Sequence, residues 1–306
     1  MYDRSKNGNY LREIRNNWQL YTLILPAIVA VIIFHYVPIY GVQIAFKDFR
    51  NVKGIWGSPW VGFKHFEKFI HYPMFSALLR NTVVLSLYSM ATFPCAILFA
   101  LMLNELKNGA FKRSVQMLTY APHFVSTVVI VSMLTLFFNR ESGLINNIVA
   151  ALGGERKDYM GMPSCFSSLY VWSGVWQDLG WGTIIYLAAL SSISPEMIEA
   201  AKIDGASRFK IVLHINLPSI LPTVITLLIL RTGSLLSVGF EKVYLMQNPL
   251  NISASRVIST YVYEVGLVNA QYSYSSAIGL FNNIINIMFI ILVNTVSRKV
   301  TNVGLW

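Results

Sequence analysis

The hydrophobic residues of this chain fall into six long blocks separated by polar segments. Each block is rich in aliphatic and aromatic residues, and each exceeds the run of about 18 residues that an α-helix needs to cross a bilayer. The predicted spans are residues 20–41, 76–103, 115–138, 166–190, 213–238 and 275–296. The pattern therefore predicts an all-α integral membrane protein with six transmembrane helices.

Basic residues beside the blocks predict how these helices are oriented. The short segment 104–113 carries three cations, and Arg298 and Lys299 follow the last block. Because Lys and Arg next to spans are retained in the cytoplasm, both termini are predicted to be cytoplasmic. Segment 42–75, on the predicted outer side, carries five cations and runs against this rule. The N-terminal segment agrees with the rule, since it contains Arg4, Lys6, Arg12 and Arg15.

The polar segment 194–222 has the pattern of a helix that stops abruptly. Ser194 is expected to cap the helix, and Pro195 suits its first position because a missing N–H costs nothing there. Gly205 is expected to end the helix. This segment is too short and too polar to cross a bilayer.

A second helical segment is predicted from residue 206 towards residue 215. Pro218 and Pro222 are then expected to change the direction of the chain. The result would be a helix–break–helix elbow, and the predicted topology places it in the cytoplasm.

The composition is that of a membrane protein. Of 306 residues, 55% are hydrophobic and 12% are charged, with a mean hydropathy of +0.53. Much of the net charge of +10 lies beside the apolar blocks, where it suits anionic lipid headgroups. Basic and aromatic residues do not alternate along a polar face, so no nucleic-acid partner is predicted.

The sequence contains no motif of a self-sufficient enzyme. No stretch matches the phosphate-binding pattern G-x-x-x-x-G-K-[ST], so ATP would have to be hydrolysed by another subunit. Neither a Gly-x-Ser-x-Gly motif nor a metal-binding pattern is present. Cys95 and Cys165 are too few for a disulfide framework. Scattered Ser and His leave an intramembrane hydrolase as a distant alternative.

Two charged residues fall inside predicted spans, where a charge is costly unless it is paired or faces water. Asp178 lies near the middle of the fourth span and Arg231 in the outer part of the fifth. Two interpretations are open. Arg231 and Asp178 form a structural ion pair between adjacent helices, which we favour, or they bind a solute directly.

An aromatic stripe accompanies Asp178. Trp172 and Trp176 are four residues apart and therefore share a helix face, and Gln177 lies beside them. Aromatic faces suit the apolar faces of sugar rings, and amide or carboxylate groups suit sugar hydroxyls. The alternative is an interfacial aromatic belt with ordinary helix packing. These residues, with Asp178 and Arg231, form the predicted substrate path.

The elbow resembles the EAA loop of the membrane subunits of binding-protein-dependent ABC importers. The motif elements, at the spacing of that family, are Glu199-Ala200-Ala201, Gly205 and Ile215-x-Leu217-Pro218. The resemblance implies a type I importer fold in which residues 194–210 form a coupling helix that docks on a cytoplasmic ATPase. It assigns this coupling role to Glu199, Ala200, Ala201, Asp204, Gly205 and Pro218.

The resemblance extends over residues 77–296, which are expected to form the permease core. Residues 1–76 would hold the N-terminal cytoplasmic segment, the first span and an external loop, and residues 297–306 a cytoplasmic tail. Within the core, Gly143-Leu144-Ile145-Asn146 resembles the turn that follows the third span of the family. The first segment resembles permeases for oligosaccharides derived from complex polysaccharides. The residues that carry this looser likeness are Tyr36, Pro38, Tyr40-Gly41 and Ala45-Phe46-Lys47-Asp48-Phe49.

The resemblance also implies partners and a location. The chain itself is expected to bind no cofactor, while ATP and Mg²⁺ bind to two cytoplasmic ATPase subunits. A second, related permease is expected to form a heterodimer with this chain, and an extracytoplasmic binding protein to deliver the oligosaccharide. The expected location is the plasma membrane of a prokaryote. The alternatives are an importer of another solute, such as a peptide or an amino acid, and a secondary transporter.

Overall fold

The computed structural model describes residues 16–107, 109–301 and 303–305, and these residues form helices without any β-strand. The all-α fold class is thus confirmed for the described residues, while the basic segment 1–15 lies outside them. The helices are α1 (Trp18–Phe46), α2 (Gly54–Gly57), α3 (Lys64–Ile70), α4 (Phe75–Glu105), α5 (Ala110–Phe124), α6 (Thr127–Phe137), α7 (Leu144–Ala151), α8 (Pro163–Ser191), α9 (Pro195–Ile203), α10 (Arg208–Thr232), α11 (Phe240–Met246), α12 (Ile252–Ser255), α13 (Ile258–Tyr263) and α14 (Tyr272–Thr301).

Four of these helices, α1, α4, α10 and α14, are long and apolar enough to cross a membrane. Two further candidates are bent pairs, α5 with α6 and α8 with α9. Counting each bent pair as one span gives six candidate spans in the described residues. The predicted number therefore depends on these pairs, and the orientation of the termini stays a prediction.

The prediction of one continuous helix over residues 115–138 is wrong. α5 and α6 meet at an angle of 103°. Pro122 has no N–H to donate to a helix, and Val125 is extended. Ser126 then starts a new helix, because its Oγ accepts a hydrogen bond from the Val129 backbone N–H at 3.4 Å.

The prediction that the fifth span reaches residue 238 is also wrong, since α10 ends at Thr232. The following segment bonds to Asn286, a buried residue of α14. Asn286 Oδ1 accepts a hydrogen bond from the Leu236 N–H at 2.9 Å, and its Nδ2 donates to Ser237 Oγ at 3.0 Å. These bonds replace those that further helical turns would have made, so the helix can stop inside the protein.

Pro218 and Pro222 do not change the direction of the chain, contrary to prediction, because both lie within α10. The π turn Val212–Asn216 comes just before Pro218. A second π turn, Ile32–Tyr36, occupies the same position before Pro38 in α1. In both helices the wider turn allows the chain to pass a residue that has no N–H.

Helix α8 is the centre of the bundle and packs against α4, α5 and α10. Near the end of α8 the core is formed by Phe93, Ile97, Tyr186, Leu190 and Ile220. Helices that pack in lipid approach closely at small residues. Gly180 of α8 is such a point, because a Cβ there would collide with the Thr119 carbonyl oxygen of α5.

Helix α1 makes few contacts with this bundle. Its first part, Trp18–Val31, has no buried residue, and Leu23 is 78% exposed. Only the end of α1 packs firmly, where the 3-10 turn Tyr40–Phe46 contacts α14. The apolar surface of α1 is thus available to lipid or to another chain.

The turn after α6 is organised by Asn146, which is fully buried. Its Nδ2 donates to the carbonyl oxygens of Phe138, Asn139 and Lys157 at 3.0 to 3.2 Å, and its Oδ1 accepts from the Lys157 N–H at 2.9 Å. Gly143 precedes α7 with no room for a side chain, because a Cβ would collide with Asn139 backbone atoms. This turn therefore requires Gly143 and Asn146, two residues of the segment that resembles the turn of the family.

Replacing Gly180 by alanine should weaken the packing of α8 on α5. The added methyl group must displace the Thr119 carbonyl, and overpacking of this kind costs about 1–3 kcal/mol. We expect a lower midpoint of thermal unfolding for the full chain in detergent.

The matched control is Gly279→Ala in α14, where a Cβ has no neighbour within 4 Å. This control should keep or raise the midpoint, since alanine favours helix over glycine. Equal midpoints for Gly180→Ala and the wild type would contradict the proposed close approach.

Candidate functional site

Helix α9 forms an elbow at the end of α8, from which it bends by 75°. The helix starts at Pro195 after Ser194, as predicted, but the Ser194 side chain accepts no capping hydrogen bond. The cap lies on the other side of the elbow, where Ser207 Oγ accepts from the Lys210 N–H at 3.4 Å and starts α10. The predicted second segment, residues 206–215, is therefore the beginning of α10 and not a separate arm.

Gly205 ends α9 in the left-handed conformation, with φ of 78°. The N–H of Gly205 donates to the Lys202 carbonyl oxygen at 3.1 Å, and the N–H of Ala206 donates to the Ala201 carbonyl oxygen at 2.9 Å. These two hydrogen bonds form a Schellman motif. The predicted break at Gly205 is confirmed, and it fixes the direction in which the chain leaves the helix.

The surface of α9 is not covered by the described part of the chain, since none of the residues of the helix is buried. Glu199, Ala200 and Asp204 are exposed, and Ala201 is half-buried. Ile203, at the end of the helix, is 86% exposed. The described part of the chain therefore leaves the surface of α9 open to another protein.

Pro218 lies apart from the other predicted coupling residues. It is exposed on α10, beyond the π turn Val212–Asn216. The structure thus places five of the six predicted residues on α9 or at its end, and Pro218 on the helix that follows.

A polar cavity of about 510 Å³ lies where α4, α8, α10 and α11 meet. Three residues of the predicted substrate path, Gln177, Asp178 and Arg231, line it. Gln177 donates a hydrogen bond to the Val125 carbonyl oxygen at 3.1 Å. Other polar residues of the lining are Ser89, Thr92, Tyr170 and Lys242.

The two tryptophans of the predicted path do not line this cavity. Trp172 and Trp176 are about half exposed and belong to an apolar groove of about 390 Å³ between α6 and α8. Residues advance by about 100° along a helix, so this pair lies nearly opposite Asp178. Trp172 Nε1 donates to the Tyr88 hydroxyl at 2.9 Å. The structure therefore divides the predicted path between two faces of α8.

The ion pair between Asp178 and Arg231 that we favoured from the sequence is not formed. Asp178 Oδ1 instead accepts a hydrogen bond from His123 Nδ1 at 2.8 Å. The His123 ring stacks on Trp181, with ring centroids 4.4 Å apart. The bend between α5 and α6 brings His123 to α8, so the sequence spacing of Asp178 and Arg231 could not reveal this partner.

Helix α4 is interrupted at Thr92, between Ala91 and Phe93, and Arg231 is held at this interruption. Its Nη2 donates to the Ser89 carbonyl oxygen at 2.9 Å, and its guanidinium lies 5.8 Å from the centre of the Phe93 ring. The same carbonyl oxygen accepts a hydrogen bond from Thr92 Oγ1 at 2.8 Å. Arg231 is thereby fixed at the cavity without a carboxylate partner among the described residues.

Lys242 is the charged residue of the cavity lining that sequence reasoning missed. Its Nζ lies 5.3 Å from the centre of the Tyr170 ring and next to Gly174. Helix α11 is outside the candidate spans. Burial lowers the pKa of Lys242 to about 8, and the nearby carboxylate of Asp178 opposes this shift. Lys242 is therefore mostly protonated at neutral pH. The only signal in the sequence that could have pointed to Lys242 is that segment 239–273 contains few charged residues.

Comparison with known proteins gives a family and several close relatives. Residues 92–302 match the family described as "binding-protein-dependent transport system inner membrane component". Protein LplB of Bacillus subtilis (strain 168) is 44% identical over 95% of this chain and 92% of its own length. The polygalacturonan/rhamnogalacturonan transport system permease protein YteP of the same strain is 40% identical over 100% of this chain and 96% of its own length.

Solved structures agree with these matches. A chain of a bacterial ABC transporter involved in the import of the acidic polysaccharide alginate is 36% identical, with a TM-score of 0.87, and covers 96% of this chain and 99% of its own. A bacterial alginate ABC transporter in complex with an alginate pentasaccharide-bound periplasmic protein gives a TM-score of 0.88. These findings confirm the resemblance that the elbow carries: the chain belongs to the family of inner membrane components of binding-protein-dependent transport systems.

Proposed function

We propose that this chain is the permease subunit of an ATP-driven importer that carries oligosaccharides handed over by an extracytoplasmic binding protein. The observation that carries the proposal is the uncovered elbow α9, which lies between the two helices that also reach the polar cavity. The names of the relatives support a saccharide, since they include a permease for polygalacturonan and rhamnogalacturonan and a transporter for alginate.

The proposed topology has six spans, with each bent pair counted as one, and both termini in the cytoplasm of a prokaryotic cell. In this arrangement the elbow, the basic segment 104–113 and the tail 297–306 share the cytoplasmic side. The positive charge of segment 104–113 and of the tail supports this orientation. Residues 77–296 would form the permease core.

The elbow would couple ATP hydrolysis to the cavity through two helices. α8 ends at the elbow and contributes Gln177 and Asp178, while α10 starts at the elbow and contributes Arg231. Docking of α9 on an ATPase would therefore move both walls of the cavity together. ATP binding need only favour one of two packed arrangements, because coupling is a difference in free energy between states.

The other subunits of the proposed importer are two cytoplasmic ATPases and a second, related permease. ATP and Mg²⁺ would bind to the ATPases, consistent with the lack of a phosphate-binding motif in this sequence. An alginate transporter in complex with a substrate-bound periplasmic protein supports the binding protein as a further partner.

Purification of the tagged chain from its host in mild detergent tests this function. We expect a second six-span permease and a P-loop ATPase to co-purify, and vesicles containing the complex to take up oligosaccharide only with ATP and the binding protein. A chain that purifies alone and moves solute without ATP would instead be a secondary transporter.

A pair of glycine variants tests the coupling role of the elbow. Gly205→Val adds a side chain at a left-handed residue, which costs about 1–2 kcal/mol and would redirect the end of α9. We expect ATPase docking and transport to fall at least about tenfold, the effect of losing roughly 1.4 kcal/mol of coupling. Co-purification of the ATPase and uptake into vesicles measure these effects.

The matched control is Gly153→Val at the end of α7. Gly153 has φ of 83°, its N–H donates to the Ala150 carbonyl oxygen, and the Gly154 N–H donates to the Val149 carbonyl oxygen. Gly153 therefore ends α7 in the same Schellman motif as Gly205 ends α9. A Cβ would have no neighbour within 4 Å at Gly153 or at Gly205. The coupling role is wrong if both variants lose transport equally or if Gly205→Val keeps normal transport.

A charge reversal on the exposed face of α9 gives a second test. Glu199→Lys should impair ATPase docking and transport while the amount of chain in the membrane stays normal, because Glu199 is exposed on a helix without buried residues. Membrane fractionation and ATPase co-purification measure the two properties separately. Normal uptake by this variant would exclude Glu199 from the docking surface.

A further inference from the structure

We propose that the cavity binds acidic oligosaccharides, with Arg231 and Lys242 as the residues that recognise uronate carboxylates. This inference rests on the proposed function and adds the charge of the solute to it. Its basis is the electrostatic imbalance of the cavity lining, which contains two cations and one carboxylate.

The single carboxylate does not neutralise either cation directly. Asp178 accepts its hydrogen bond from His123, and neither Arg231 nor Lys242 forms an ion pair with a described residue. A charge at membrane depth is costly unless it is paired or faces water, so an unpaired Arg231 in α10 favours a functional role. The cavity is thus a positively charged space bordered by apolar helices.

Arg231 is positioned to meet a carboxylate. One of its terminal nitrogens is used by the Ser89 carbonyl oxygen, and its plane lies near the Phe93 ring, so the guanidinium is held in place with donors left over. Arginine matches a carboxylate with two parallel hydrogen bonds and is weakly hydrated, which suits recognition at a partly buried site.

Lys242 adds a second cation from another wall of the same cavity. The contact of its Nζ with the Tyr170 ring and its position beside Gly174 place the amine at the surface of α8. Two cations on separate helices offer two binding points for the carboxylates of one sugar chain. The remaining polar lining, Ser89, Thr92 and Gln177, offers hydrogen bonds to hydroxyl groups.

Two of the more similar relatives point in the same direction, whereas less similar ones are named for neutral sugars such as trehalose/maltose and arabinooligosaccharides. One of the solved transporters is described as importing an acidic polysaccharide, and YteP is named for polygalacturonan. A neutral oligosaccharide is the competing possibility; its hydroxyl groups can accept hydrogen bonds from the two cations but cannot neutralise their charge. The charge of the lining therefore favours the acidic solute, which the fold alone does not distinguish from a neutral one.

Cys95 lines the cavity and offers a test that does not depend on transport. In a Cys165→Ser background it is the only thiol of the chain. We compare the rates at which anionic sulfonatoethyl and cationic trimethylammonioethyl methanethiosulfonates modify it in the purified complex, relative to the unfolded chain. The anionic reagent should react faster, and Arg231→Gln with Lys242→Gln should lower the anionic-to-cationic ratio about tenfold.

The control for this labelling is Lys64→Gln, which removes one exposed cation outside the cavity. It should leave the ratio unchanged. A faster reaction with the cationic reagent, an unchanged ratio in the double variant, or a thiol that reacts with neither reagent before unfolding would each overturn the proposal.

The second test is transport of a matched pair of solutes. Vesicles with the complete importer receive α-1,4-linked oligogalacturonate or the same oligomer with its carboxyl groups reduced to alcohols. The wild type should prefer the acidic oligomer. Lys242→Gln and Arg231→Gln should each lower the acidic-to-neutral uptake ratio about tenfold, the effect of losing one charge-assisted hydrogen bond. Lys64→Gln should leave both rates unchanged.

The outcomes separate this inference from the proposed function. Wild-type preference for the neutral oligomer, or equal losses for both oligomers in the variants, would overturn acidic recognition and leave a sugar importer. Failure to take up either oligomer with ATP and the binding protein would count against the sugar importer as well. Affinities of the binding protein for the two oligomers, measured separately, exclude that subunit as the source of the ratio changes.

Discussion

A bilayer offers no water to the backbone, so each N–H and C=O group at membrane depth must find its partner within protein. The long helices satisfy most of these groups, and side chains serve those at the interruptions. Ser126 caps the helix after the bend between α5 and α6, and Asn286 bonds to the segment after α10. The Ser89 carbonyl oxygen, where α4 is interrupted, accepts from Thr92 and Arg231. These side-chain hydrogen bonds allow the helices to bend or end at the positions where they do.

The departures from straight helices also place the chemistry. The interruption of α4 and the early end of α10 both adjoin the polar cavity, and the chain after α10 leads directly to Lys242. In a continuous helix the backbone N–H and C=O groups would bond to each other, and polar side chains on the outer face would point towards lipid. Interrupted helices instead bring carbonyl groups and long side chains together at the cavity, where they can bond to one another.

The sequence was sufficient for features that local chemistry determines. Gly205 predicted the end of α9 because a left-handed residue favours glycine, and long apolar blocks predicted the candidate spans. Features that depend on distant residues were not predictable. Asn286, 50 positions further along the chain, bonds to the Leu236 N–H in the segment that follows the end of α10. The contact of His123 with Asp178 depends on the angle between α5 and α6. Local patterns define helices, whereas contacts between helices define where they stop and which side chains meet.

The cavity lies well away from the elbow along both helices that join at the elbow. Asp178 lies 13 residues before the end of α8, about 20 Å at 1.5 Å per residue, and Arg231 lies 23 residues into α10, about 35 Å from its start. In the proposed importer, substitutions at the cavity would therefore alter solute preference without changing the proposed docking surface of α9. Permeases of different specificity could then diverge by mutation while they continue to share one energy-supplying subunit.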